Sequence, residues 1–222
     1  MGHLKERKNI GGWLRQGIGT DLSGKLMLFL AAMMVCVLSL GLTPVAQAYS
    51  GSITTTYAED NGQNGNMFDV TASGPAYITI TSFDIHVGDL GQVSIDVFYK
   101  SGTYSGFEKD PGFWKPLGSL TVTGAGVGNP TPVNIGVLTI PSGETYGIYI
   151  TRTDGGSLTY TDGANTYSNS AITIDTGTGN AFPFGDVFTP RTWNGTIYYE
   201  TPEGGGGDGG GGGCFISAIT GN

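Results

Sequence analysis

The sequence predicts an all-β fold, a β-sandwich or jelly-roll-like arrangement of about nine or ten strands. Three observations predict it. After residue 48 no apolar set recurs at helical spacing, whereas short runs alternate apolar and polar residues. Gly, Pro, Asn and Asp separate these runs at intervals of about 8–12 residues. The composition agrees, because 40 of the 222 residues are glycine, threonine is frequent and lysine is scarce. A closed barrel is the alternative.

Residues 1–48 read as an export signal. Lys5, Arg7, Lys8, Arg15 and Lys25 form a basic start, and an apolar run follows over residues 26–42 (LMLFLAAMMVCVLSLGL). Thr43 and Pro44 break the run, and Ala46-Gln47-Ala48 supplies the small-residue pattern of a cleavage site after Ala48. An uncleaved anchor is the competing reading, since the run is near the lower limit of a membrane span. Cys36 follows Val35 inside the run, without the small residues that lipidation needs before its cysteine.

Strands follow in order. Residues 52–57 (SITTTY) form the first, and residues 59–66 (EDNGQNGN) read as a polar loop before a short run at 67–70. In residues 76–87 (AYITITSFDIHV) the apolar parity changes, from Ile78 and Ile80 to Phe83, Ile85 and Val87. Such a change implies a β-bulge or bend near Thr81-Ser82. Residues 92–100 place Val93, Ile95, Val97 and Tyr99 on one face, and Gly88-Asp89-Leu90-Gly91 reads as a hairpin between these two strands. Further strands are expected within 113–123 and at 133–140, 144–151, 157–161, 171–175 and 192–200, with turns at 141–143 and 154–156.

The folded body ends near residue 201. Residues 202–213 form a Gly-rich linker in which every residue from 204 to 213 except Asp208 is glycine. A glycine run buries no apolar surface and loses the most entropy on ordering, so a tether is expected there, with an end-to-end distance of about 17 Å. Residues 214–222 (CFISAITGN) are the tail.

Removing residues 1–48 leaves 5 of the 10 Lys and Arg and 16 of the 18 Asp and Glu, a formal charge of −11. Such a charge repels nucleic acid and anionic lipid, so neither is an expected partner; contact with a membrane is expected only through the signal or a modified Cys214. One cysteine, Cys214, remains, which excludes a disulfide framework within the chain. Stability has to come from a hydrophobic core, for which about 150 residues suffice.

The stretches NGNMFDVTA, DVFYKSGTYSGFEKDPGFWKPLGS and NAFPFGDVFTPRTWNGTIYYE give residues 50–200 a likeness to a known module. The body resembles a β-sandwich seen in exported bacterial proteins that carry assorted C-terminal anchoring or sorting signals. That resemblance supplies no catalytic site. The tail, GGGGGCFISAITGN, resembles the glycine run and Cys-Phe-Ile box (CFI-box) of some secreted bacterial proteins. There the box usually continues as CFIATAAYGS, whereas here it reads CFISAITGN. The resemblance implies an exported protein, at the cell surface or outside the cell, with the periplasm as the alternative.

Each candidate site has an ordinary structural role as its alternative. Cys214 is a candidate for processing, lipidation or an intermolecular disulfide, against an inert tail thiol. His86 alternates with Ile85 and Val87, so it is expected on the surface of its strand without a catalytic partner; no G-x-S-x-G occurs. One histidine and one tail cysteine do not make a zinc site. Glu59, Asp60, Asn64 and Asp69, with Asn61 and Asn66, supply hard oxygen ligands in a glycine-punctuated loop, so structural calcium is set against a solvated loop of Asx-turns. No other cofactor is expected. Tyr104, Phe107, Trp114 and Trp193, with Phe113, Tyr160 and Tyr167, are the aromatics available to stack on sugars; the competing role for the tryptophans is core packing. A glycosidase needs two carboxylates across a cleft, and Glu108 and Asp110 are neighbours in one loop. The function expected is therefore a non-catalytic surface or extracellular-matrix module that acts through protein contacts or self-association. A carbohydrate-binding module with structural calcium is the alternative, and a hydrolase comes third.

Overall fold

A computed structural model describes residues 49–58 and 61–202. The predicted signal, the Gly-rich linker beyond Pro202, Glu59, Asp60 and Cys214 lie outside the described residues. No helix among the described residues is long and apolar enough to cross a membrane. Among the described residues a single 3-10 turn, Pro111–Phe113, interrupts otherwise all-β structure.

The described residues form fifteen strands in two antiparallel sheets, consistent with a β-sandwich. The smaller sheet has the order β1 (Tyr49–Thr54), β15 (Gly195–Thr201), β4 (Ile78–His86), β7 (Pro130–Val133), with β8 (Leu138–Ile140) continuing along β4. The larger runs β2 (Asn61–Gln63), β10 (Leu158–Asp162), β14 (Val187–Trp193), β13 (Gly177–Asn180), β3 (Gly65–Ala72), β9 (Thr145–Arg152), β5 (Gln92–Ser101), β6 (Lys115–Thr123). Two short strands, β12 (Ile172–Ile174) and β11 (Tyr167–Ser168), extend from β3.

The strand count exceeds the nine or ten expected for two physical reasons. Two expected runs divide: that at 133–140 into β7 and β8 around Gly136, whose φ of +47° suits glycine, and that at 192–200 into the end of β14 and β15 at Asn194. The strands β2, β11 and β13 are short and rich in Gly, Asn or Ser, so they show no apolar alternation. Glycine in β13 has a packing cause: a Cβ on Gly179 would sit 2.6 Å from the Tyr160 ring.

The change of parity in β4 is a bulge. Tyr198 pairs with Ser82 and Tyr199 with Ile80, so Thr81 is the extra residue. Ile78 and Ile80 before it, and Phe83 and Ile85 after it, all reach the main core. The expected hairpin at 88–91 is corrected. β4 lies in the smaller sheet and β5 in the larger, so these residues carry the chain between sheets. Alternation shows which face of a strand is buried, not which neighbour it takes.

The main core lies between the sheets and includes Phe68, Phe83, Ile95, Ile148 and Ile197. Trp193 is 2% exposed, stacked on Phe68 at 4.5 Å between centroids and edge-on to Phe83 at 6.3 Å. Burying each large apolar side chain contributes about 1.5–3 kcal/mol. A second cluster, Met67, Trp114 and Tyr149 with Phe98, Tyr104 and Phe184, covers the opposite face of the larger sheet.

Candidate functional site

The second cluster contains most of the aromatics singled out in the sequence. Its floor follows from strand parity. On β3, Phe68 and Val70 enter the main core, which turns Met67 and Asp69 to the other face. Tyr149 on β9 pairs with Met67, and Phe98 on β5 pairs with Tyr149. An apolar outer face of this kind needs a cover, and the connection between β5 and β6 folds back to supply it.

Asp69 holds that connection down. Its carboxylate accepts hydrogen bonds from Thr103 Oγ1 at 2.5 Å and from the Tyr104 N–H at 2.8 Å. Burial raises the Asp69 pKa, and these two bonds oppose the rise. Burial likewise pushes the Tyr104 hydroxyl up to about 12. Lys100 is buried on the same face, donates to the Ser101 carbonyl at 3.1 Å and stands 4.2 Å from the Phe107 ring centroid. Desolvation lowers its pKa, and Asp69 opposes that shift.

Trp114 is 7% exposed, and its Nε1–H donates to the Phe107 carbonyl at 2.9 Å. Tyr149 and Phe184 pack against its ring. Of the four aromatics proposed for ligand binding, the structure thus gathers Tyr104, Phe107 and Trp114 on one face and places Trp193 in the main core. Both tryptophan rings are covered by protein. Phe107 is half-buried, and its neighbour Phe113, 4.7 Å away between centroids, is exposed.

The calcium candidates within the described residues do not converge. Asn64 donates from Nδ2 to the Gly156 carbonyl at 2.9 Å and accepts at Oδ1 from the Phe182 N–H at 3.1 Å. It stitches two loops at one end of the larger sheet, while Asp69 serves the loop after β5. Among the described residues no group of three or more His, Cys, Asp or Glu is placed to hold a metal ion.

The expectation of a surface histidine is corrected. His86 does turn away from the main core, yet it is 1% exposed. The connection after β6 closes over it, with the Gly128 N–H donating to His86 Nε2 at 2.8 Å, and Tyr57 meets its ring edge-on at 5.7 Å. Asp84, two residues earlier on the same face, accepts from the Tyr198 hydroxyl at 2.8 Å. Tyr57 donates to or accepts from Thr196 at 3.1 Å, and burial pushes its hydroxyl up to about 12.

Sequence reasoning also missed Arg152. Its Nε donates to Asp154 at 2.9 Å and Nη2 to the other oxygen at 3.1 Å, while Nη1 meets Asp89 and the Ser157 carbonyl. Asp154 accepts in turn from the Ser94 N–H at 3.0 Å. These bonds, those from Arg152 first, hold the Asp154 carboxyl down to about 2. A lone arginine at the end of an apolar strand, facing two turn aspartates, was the available signal.

No family model matches the chain, and no curated protein matches it.

Proposed function

We propose that this protein is an exported, non-catalytic β-sandwich module that acts through protein contacts at the cell surface or in an extracellular matrix, carried on its Gly-rich linker. One observation carries the reading. Both tryptophans proposed for ligand binding are committed to internal packing: Trp193 lies between the sheets, and Trp114 is pinned by the Phe107 carbonyl and covered by Phe184. The outer loop that bears Tyr104 and Phe107 is bonded to its own sheet through Asp69. Side chains used in this way stabilise a rigid surface. The tether and the Cys-Phe-Ile tail support display outside the cytoplasm, with Cys214 the group to be processed, lipidated or cross-linked.

A test is cross-linking on intact source cells, followed by mass spectrometry of species that contain residues 49–201. Defined protein neighbours are expected. Saturable turnover of a substrate by the purified body, lost on one side-chain change, would overturn the non-catalytic reading.

The carbohydrate-binding reading has one specific observation in its favour, the exposed Phe113 packed beside Phe107. If it holds, a glycan array probed with calcium present gives a signal that Phe113→Ala abolishes. A silent array removes it.

A further inference from the structure

Edge strands carry unpaired backbone groups and accept added strands unless something blocks them. Three of the sheet ends here are blocked. β6 opens with Lys115-Pro116 and has a register shift opposite Val97 and Phe98. β2 is three residues long. β7 carries Pro130 and Pro132, and β8 beside it has three residues. The fourth end, β1, has none of these devices in its own sequence, although the two-residue β11 lies beside it and Asn169, just after β11, reaches its outward edge at Ser52. Its sequence is YSGSIT, without proline, Lys, Arg, Asp or Glu, and it pairs with β15 in unbroken register from Tyr49 with Thr201 to Thr54 with Thr196. Among the described residues β15 is its sole ladder partner.

The direction of the outward groups follows from one bond. The Thr55 N–H donates to the Gly195 carbonyl at 2.9 Å, so odd-numbered residues of β1 bond β15. The backbone groups of Ser50, Ser52 and Thr54 therefore point away from the sheet. The side chains of all three are exposed hydroxyls.

We propose that β1 is the edge through which two copies of this chain associate, antiparallel about a two-fold axis, joining their smaller sheets into one. The inference rests on the protein-contact reading above and names its partner. The strand is self-complementary: an axis at Ser52 sets Ser52 against itself and Ser50 against Thr54, for about six N–H···O=C bonds. Charge selects the same edge. A formal charge of −8 over the whole chain opposes self-association wherever carboxylates meet, and β1 has none. Facing Ser and Thr side chains form favourable cross-strand pairs. The nearest flanking acid, Glu200 on β15, would stand at least three strand spacings from its symmetry mate, about 14 Å, beyond the ~8 Å screening length of physiological salt. The Ser52 carbonyl now receives Asn169 Nδ2 at 3.5 Å, a long contact that a strand N–H would replace. Six residues of edge make a small interface, so the dimer is weak and forms with rising concentration.

Sedimentation equilibrium of the full chain, with reductant to keep Cys214 a thiol, tests this from about 1 μM to about 1 mM. The mass is expected to rise from one chain towards two. Amide exchange at Ser50, Ser52 and Thr54 should slow at least about threefold at the high end. Ser52→Lys and Ser52→Pro should abolish both effects; the Ser52 N–H points away from β15, so neither change removes a ladder bond. Thr121→Lys on β6 should leave them intact. A monomer throughout, an association that survives both Ser52 changes, or exchange independent of concentration overturns the proposal. The wild-type exchange result decides even if the variants fail to fold. If the chain stays monomeric while surface cross-linking still traps other proteins, this edge falls and the display reading stands. If the dimer forms in solution and cells yield no cross-linked neighbour, the display reading falls instead.

Discussion

Arg152 ties loop segments together through Asp89, Asp154 and the Ser157 carbonyl. Its guanidinium is nearly buried, while Asp89 and Asp154 reach solvent at 53% and 26% of their side-chain area. Removing it leaves two carboxylates facing a void. Arg152→Ala should cost about 2 kcal/mol in urea unfolding, less than a fully buried broken pair because water reaches both aspartates. Arg152→Lys should recover only part, since an ammonium cannot make the two-pronged contact with Asp154. An unchanged unfolding midpoint for Arg152→Ala would show that the turns hold without the network. The acid response has two limbs of opposite sign. Asp69 has a raised pKa in the folded chain, so its ionised form opposes folding, and stability increases as pH falls through that value. Asp154 is held down to about 2 from an ordinary 3.8, so the stability it contributes is full above pH 3.8 and drains as pH falls towards 2. Thermal melts should therefore show a gain on mild acidification and a loss below it. Asp69→Asn should flatten the first limb and leave the second.

At the scale of the element, β4 shows how far a sequence pattern carries. Its two apolar parities demanded an irregularity near Thr81, and the register with β15 has it there. Deleting Thr81 brings Ile78, Ile80, Phe83 and Ile85 onto one parity, so that chain should still fold cooperatively, with a straighter sheet. Deleting Ser94 from β5 turns Ile95 and Val97 outward and should abolish cooperative unfolding; calorimetry of the two deletions separates these outcomes. Alternation made the burial of β5 and the all-β class legible because each strand records its own environment. Pairing across the sandwich was not legible, because residues 88–91 have turn chemistry whether the chain reverses within a sheet or crosses between two. The aromatic cluster was half legible. Tyr104, Phe107 and Trp114 stood out, but the partners that cover Trp114, Tyr149 and Phe184, lie on β9 and in the connection between β13 and β14. His86 was misjudged because strand parity says which face a side chain takes, not whether a later loop covers it.

At the scale of the molecule, the two ends of the smaller sheet differ in what they carry. Tyr49 pairs with Thr201, so the first and last strands begin and finish side by side at one end. The expected cleavage after Ala48 and the start of the Gly-rich linker both fall at that end. At the other end of the smaller sheet, where His86 pairs with Pro130, the connections after β4 and β6 are tied together: the Gly124 N–H bonds the Gly91 carbonyl, the Gly126 N–H bonds Asp89, and the Gly128 N–H bonds His86. A body held through its linker would turn this braced end outward. Intact mass from membrane, wall and medium fractions, with and without reductant, tests the premise. The envelope-bound form should begin at Tyr49 and either stop at or before Cys214 or carry a mass added there. A reducible pair of chains would instead make Cys214 a cross-link, which would reinforce β1 pairing by raising the local concentration of a second edge. An unmodified tail found in the medium alone would detach the linker from display. The braced end would then have no fixed direction, and contacts through β1 would have to form between chains free in solution.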